Sequence, residues 1–232
     1  MGTATTLNHT TTTSEEEKRV LNLVVQMEKD RPVHEADLLK AVGVAVLEVL
    51  FGEKGQGAWR HEIDLWEKGR IRKLVRRARG AKWEATRQLD HIEVKVGTAV
   101  VRGFSPCLSS EQPKELSGLQ MSGTEALRGQ YSGAGFDEGR CGLVVMVNPH
   151  LGMSSAKAAV QGAHACQLAA KLLSSQEMDE MRTKGWNVKV EMAVEKQWDE
   201  IRRTPGVVAV RDAGFTEIEP GSLTAFGWVK YS

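Results

Sequence analysis

The amino-acid sequence predicts an α/β protein of two tandem βαβαββ units, each a small mixed β-sheet with helices on its faces, forming a pseudo-dimer. Three observations carry that expectation. Short β-branched apolar runs such as Leu143-Val144-Val145-Met146-Val147 alternate with longer helical patterns. The order of elements in the second half recurs in the first. Local anchors recur as well: a Lys-Gly step before a strand (Lys68-Gly69 and Lys184-Gly185) and a tryptophan on a short helix (Trp83 and Trp198).

The second half reads most clearly. A strand over residues 142–147 leads into a helix over 154–173, for which Ser154 or Ser155 is a suitable N-cap. A half-buried strand follows at 186–192, where Val188, Val190 and Met192 alternate with polar residues. A short helix near 198–203 and strands at 207–211 and 223–230 complete the unit. In the first half, Leu23-Val24-Val25 matches Leu143-Val144-Val145, and residues 34–51 take the place of the long helix. A strand at 71–75 matches 188–192, Trp83 matches Trp198, and Ile92-Glu93-Val94 matches Val208-Ala209-Val210. Two halves that merely share a fold class are the alternative to duplication. The Ser/Gly/Gln/Pro-rich stretch 105–140 holds the end of the first copy and a connection. The expected division is a tail at 1–17, a degenerate repeat at 18–125, a linker at 126–139 and a complete unit at 140–232.

Bulk properties narrow the function classes. A hydrophobic fraction of 41% and a charged fraction of 26% are ordinary for a soluble protein, and the net charge of +1 announces no polyanionic partner. The three cysteines, Cys107, Cys141 and Cys166, are odd in number and lack metal-type spacing, which favours buried thiols in a reducing compartment. The Thr-rich start has no apolar core, so it is not a secretory signal, and it matches a myristoylation pattern only formally at Gly2 and Thr6. Residues 1–17 are expected to be a disordered tail. The longest apolar run, residues 41–47, is far too short to cross a membrane. A cytoplasmic protein without a membrane partner is the expectation.

Chemistry concentrates in two stretches. Asp212-Ala213-Gly214-Phe215-Thr216 follows the apolar run Val207 to Val210, placing a carboxylate and a glycine hinge at the end of a strand, where open α/β sheets place their ligand chemistry. About 50 residues earlier, Lys157, Gln161 and His164 are spaced i, i+4 and i+7, a single polar stripe on a helix of small residues. In a parallel sheet Lys157 and Asp212 emerge on one edge. That pair can orient a water molecule, with Asp212 as base or anchor, while Lys157 and a helix N-terminus stabilise an oxyanion or a phosphate. Singly, each residue has a plain structural reading: a solvated lysine, a hydrogen-bonded core histidine, an Asx turn at Asp212. No Ser-His-Asp or Cys-His grouping stands at recognisable spacing.

Together and in this order, the two stretches resemble a type-2 peptidyl-tRNA hydrolase, as an internally duplicated bacterial member with its motifs in the C-terminal half. The resemblance covers residues 141–228 directly and the first half through the repeat. It implies hydrolysis of the ester between peptide and tRNA, with no metal or organic cofactor and with peptidyl-tRNA as partner. It places catalytic roles on Lys157, Asp212, Thr216 and Thr224, with Gln161, His164 and Gly214 at the substrate. The family is typically a homodimer of one small domain, so the fused chain is expected to be a monomer acting as a pseudo-dimer. Its first half lacks the site: Asp37, Ala41 and Val44 stand at the positions of Lys157, Gln161 and His164, and Asp212 falls near Val96. Two departures stand out. Phe215 replaces a commonly basic residue and Glu217 a usual glutamine, and the loop at 151–156 lacks the lysines common there. These departures motivate a rival reading, an RNA- or protein-binding module that kept the hydrolase fold. A hydrolase for some other small ester or amide is the third.

One segment is strongly basic. Residues 68–82 carry eight cations and no acid. A solvated strand edge is one reading. The other is a grip on the tRNA phosphates through Arg72, Arg76 and Arg79, supplied by the half that lacks the chemistry.

Overall fold

The computed structural model describes residues 18–129, 135–193, 195–214 and 217–231. The expected tail, Phe215 and Thr216, and the middle of the expected linker lie outside them. The first unit comprises β1 (Arg19–Gln26), α1 (Glu35–Phe51), α2 (Glu53–Gln56), α3 (Arg60–Lys68), β2 (Arg72–Ala78), α4 (Ala81–Thr86), β3 (His91–Val96), β4 (Ala99–Phe104), β5 (Cys107–Leu108) and α5 (Lys114–Ser117). The second comprises β6 (Gly142–Val147), α6 (Ser155–Ala170), α7 (Ser175–Lys184), β7 (Val188–Met192), α8 (Glu195–Ile201), β8 (Val208–Arg211) and β9 (Leu223–Lys230). The chain therefore contains two βαβαββ units. Their sheets have the same strand order, β2-β1-β4-β3 and β7-β6-β9-β8. In each, the first two strands pair in parallel and the last joins antiparallel between its neighbours. β5 lies off that path and pairs antiparallel with the start of β1.

The long helices differ from the expectation at their ends. The second unit's helix stops at Ala170, and Ser174 opens a separate α7 through a capping box with Glu177. In the first unit α2 and α3 occupy the corresponding connection. Glu53 and Arg60 begin them without the alternation of apolar residues that marked the other elements.

Residue pairing refines the internal match. Leu23 pairs with Gly103, which pairs with Ile92. In the second sheet Val145 pairs with Gly227, which pairs with Val208. If Ile92 corresponds to Val208, Leu23 corresponds to Val145 and not to Leu143. A slip of two residues keeps the same side chains on the same face, which is why sequence alternation alone does not detect it. The outer faces support the refined match. Trp83 of α4 carries the Arg102 guanidinium of β4 at 3.8 Å from its ring centroid, whereas Trp198 of α8 packs on Phe226 of β9 at 4.5 Å between centroids.

Between the two sheets lies one shared core. α1 packs on β3 and β4 of its own sheet and reaches β7, while α6 packs on β6, β8 and β9 and reaches β2. Both helices are therefore covered on more than one side, which explains why α1 is apolar around most of its circumference and why α6 is built of small residues. Their N-terminal ends meet where the Ser155 hydroxyl donates to Glu35 Oε1 at 2.8 Å, and further along Gly43 lies against Cys166. The helices run in the same direction. A Cβ on Gly43 would stand 2.8 Å from Cys166 Sγ, so glycine sets the closeness of this crossing. Among the described residues no helix is long and apolar enough to cross a membrane.

Candidate functional site

β8 is parallel to β6, because both are antiparallel to β9. Its carboxyl end therefore lies at the same edge as the loop that leads from β6 into α6. At that edge Lys157 Nζ is 2.6 Å from Asp212 Oδ1, with the two side chains only 11% and 8% exposed. Gln161, one turn along α6, donates its amide to the same oxygen at 2.9 Å, and the Gly214 amide donates to Oδ2 at 2.9 Å. The Thr224 hydroxyl reaches Gln161 Oε1 at 2.7 Å and the Val210 carbonyl at 3.1 Å. The four side chains form one connected network.

Backbone geometry holds this network in place. The Asp212 amide donates to the Ser222 carbonyl at 2.9 Å, and the Asp212 carbonyl accepts from the Gly221 amide at 2.7 Å. Gly214 has φ +79°, and a Cβ there would fall 2.3 Å from Pro220 Cγ, so both conformation and space require glycine. Ser154 caps α6 by accepting from the Lys157 amide at 3.2 Å. Glu217 accepts from both the Ser154 amide (2.9 Å) and the Ser154 hydroxyl (2.7 Å), tying the loop after β8 to the start of α6.

The structure separates the other candidate residues. Thr224 is fully buried, and its hydroxyl donates to Gln161 Oε1. Thr216 lies outside the described residues. His164 sits two turns beyond Lys157, and its Nδ1 is 2.8 Å from Lys73 Nζ of β2. Lys73 also donates to Gln167 Oε1 at 2.6 Å, while Gln167 Nε2 donates to Glu67 Oε1 at 3.1 Å. Glu67 also pairs with Lys171 at 2.9 Å. Burial pushes the Lys73 ammonium well below its ordinary pKa, against the pull of Cys166 and Glu67 and with added repulsion from Lys171. Burial does the same to His164, reinforced by the Lys73 and Lys157 charges. This network joins the two units and stands apart from Asp212. Cys166 lies in the same contact, where burial pushes its thiol up to about 12.

The three arginines expected to grip phosphate differ in exposure. Arg76 is 5% exposed and donates to Asn22 Oδ1 (3.0 Å), the Leu119 carbonyl (2.9 Å) and Gln112 Oε1 (3.0 Å). It is an interior strut beneath the segment that follows β5. Arg72 and Arg79 are exposed. The interior positions of Lys73 and Arg76 went unread because strand alternation places one on each face of β2, and both faces are covered.

The corresponding edge of the first unit is closed. Asp37, at the helical position of Lys157, accepts from both the amide and the hydroxyl of Thr98 at 2.8 Å, and Thr98 Oγ1 accepts from the His34 amide at 2.9 Å. A Cβ on Gly97, with φ +49°, would stand 2.3 Å from Asp37 Oδ2. The turn after β3 therefore lies directly on α1, and hydrogen bonds from Thr98 to Asp37 stand where the Lys157–Asp212 ion pair stands in the second unit.

Residues 141–229 match the family described as Peptidyl-tRNA hydrolase PTH2. That stretch is a PTH2 domain. It spans β6 to β9 and contains Lys157, Gln161, Asp212 and Thr224. A search of curated proteins gave no match to the chain. The PTH2 domain and the first unit share strand order, but where Lys157 pairs with Asp212 in the PTH2 domain, Asp37 of the first unit accepts from Thr98.

Proposed function

We propose that the PTH2 domain hydrolyses the ester that joins peptide to tRNA, with Lys157 and Asp212 as the catalytic pair. The observation that carries this reading is the 2.6 Å ion pair at the carboxyl edge of the sheet, beside the capped start of α6. In the reaction, water adds to the ester carbonyl carbon and loses a proton, and the bond to the ribose oxygen breaks. That oxygen takes up a proton, releasing tRNA and the peptide acid. A carboxylate has about four acceptor sites. Lys157, Gln161 and the Gly214 amide occupy three of those on Asp212, leaving room for the attacking water. Lys157 supplies positive charge where the carbonyl oxygen becomes anionic. An ester is activated enough for a positioned water to suffice, so no covalent nucleophile is needed.

Among the described residues no cluster of three metal-ligating side chains occurs. The test is release of tRNA from a peptidyl-tRNA substrate. Wild type should turn over, and Lys157→Ala and Asp212→Asn should each lower the rate by about 10² or more while keeping the fold. Unchanged rates in both variants would remove the site assignment.

A binding module that retains the fold is the second reading. Its support is Glu217, which places a carboxylate at the α6 N-terminus where an anionic substrate would approach. Tight tRNA binding by a wild-type protein that releases no peptide would favour it.

A further inference from the structure

The first unit has a cleft of its own. It has a volume of about 410 Å³ and is lined by Met27, Arg77, Ala78, Arg79, Ala81, Lys82 and Gln120. Three of these seven residues are cationic. The cleft opens where β2 ends and α4 begins, so it lies at the carboxyl edge of the first sheet. Arg79 and Lys82 are exposed. Arg77 is tethered through an N–H donated to Gln120 Oε1 at 2.6 Å, and its buried Nε–H has no partner. The guanidinium lies against Gly123, which has φ +71°; a Cβ there would stand 3.2 Å from one terminal nitrogen. Beside the cleft Glu28 Oε1 accepts from the Gly80 amide at 3.0 Å and from Gln26 at 3.3 Å.

Topology places this cleft at the same end of the molecule as Lys157 and Asp212. α1 and α6 run in the same direction with their N-termini joined at Glu35 and Ser155. Each helix follows the carboxyl end of its unit's first strand, so the carboxyl edges of both sheets face one way. The corresponding stretch of the second unit carries one acid and one cation, Glu195 and Lys196, in place of two cations. Ala78-Arg79-Gly80-Ala81-Lys82-Trp83 corresponds to Ala193-Val194-Glu195-Lys196-Gln197-Trp198, in which Arg79 aligns with valine, Gly80 with glutamate and Lys82 with glutamine. Opposite the pair that acts on the ester, the first unit thus carries a fixed guanidinium and two exposed cations on one concave surface.

We propose that this cleft is a second RNA contact, seating backbone phosphates of the tRNA whose ester is presented to Lys157 and Asp212. The proposal rests on the hydrolase reading of the PTH2 domain and assigns the first unit a part in it. Arg79 and Lys82 would pair with phosphate oxygens, and the Arg77 guanidinium, held by Gln120, would add positive charge to the cleft. The site reads backbone and not sequence.

The test compares full-length wild type, Arg79→Gln/Lys82→Gln, and Arg202→Gln/Arg203→Gln as a charge-matched control at the opposite end of the strands. All four positions are exposed, so folding should persist, and circular dichroism checks that it does. The probe is deacylated tRNA, titrated by fluorescence anisotropy across a range of salt. The cleft variant should bind roughly tenfold more weakly near 0.1 M salt, and its log–log salt slope should flatten by about one unit per lost phosphate contact. The control should change neither. Equal losses in the two variants, no loss in either, or no tRNA binding by wild type would each overturn the proposal. Lys157→Ala keeps the two readings distinguishable. It should bind tRNA as wild type does while losing turnover, and a wild type that binds through the cleft without turnover would sink the hydrolase reading alone.

Discussion

Asp212 shows how much arrangement one carboxylate requires. Lys157, Gln161 and the Gly214 amide all converge on it, and each comes from a different constraint: helix register, a second turn of the same helix, and a left-handed glycine. Thr224 supports the network from behind. Thr224→Val preserves shape but removes the hydroxyl that orients Gln161, so kcat for peptidyl-tRNA should fall about tenfold with little change in KM, at a stability cost of about 1 kcal/mol. Steady-state kinetics with a urea titration separate the two effects, and an unchanged kcat would show that Gln161 needs no orienting. Gly214→Ala should cost more in stability. It meets both a φ of +79° and a Cβ position 2.3 Å from Pro220 Cγ, so a loss of about 1–3 kcal/mol in the same titration is expected.

At the scale of elements, α1 and α6 approach closely where they cross at Gly43. Gly43→Ala gains helix propensity of about 1 kcal/mol but places a methyl 2.8 Å from Cys166 Sγ. The single variant should therefore be destabilised. Pairing it with Cys166→Ala should restore stability beyond the sum of the two single effects, a coupling that a double-mutant cycle in urea measures. The strands of the second unit and both long helices were legible in sequence because alternation and small-residue patterns mark surfaces that must be covered. β4 (Ala99–Phe104) was not, since the end of the first copy was expected within residues 105–140. Lys157, Gln161 and Asp212 were legible as a group for a related reason: helical spacing and the strand end put them on one edge. α7 carried a readable signal in Ser174 and Glu177, three residues apart. The two-residue offset between Leu23 and Leu143 was not readable, since alternation is blind to even shifts. Nor were the burial of Arg76 and of Lys73, because what covers β2 comes from the segment after β5 on one side and from α6 on the other.

Taken whole, the molecule buries between its units a surface that would otherwise face water. The chain should sediment as a monomer, and residues 139–232 expressed alone should self-associate or aggregate through the uncovered face of α6, as analytical ultracentrifugation would detect. The polar part of that contact adds a pH dependence. With Lys73 Nζ donating, His164 Nδ1 must be unprotonated, and its pKa lies well below the ordinary value when folded. An unfolded chain then binds the extra proton first, so stability conferred by neutral His164 is fully present above pH ~6.5 and declines as pH falls below it, by at most about 1.4 kcal/mol per pH unit. Urea midpoints at pH 7.5 and 5.5 should show this fall for wild type and a smaller one for His164→Leu. The shared core also has a consequence for how the protein responds to dilution. Two separate subunits meeting through α1 and α6 would part as their concentration dropped, and the fraction assembled would depend on expression level. Here Leu127 pairs with the entrance of α1, and the Arg128 side chain donates to the Met153 carbonyl just before α6, so the covalent connection runs directly past the contact it spans. Each unit meets its counterpart at a fixed effective concentration set by that short tether, so pairing of the two units does not depend on how much protein is present.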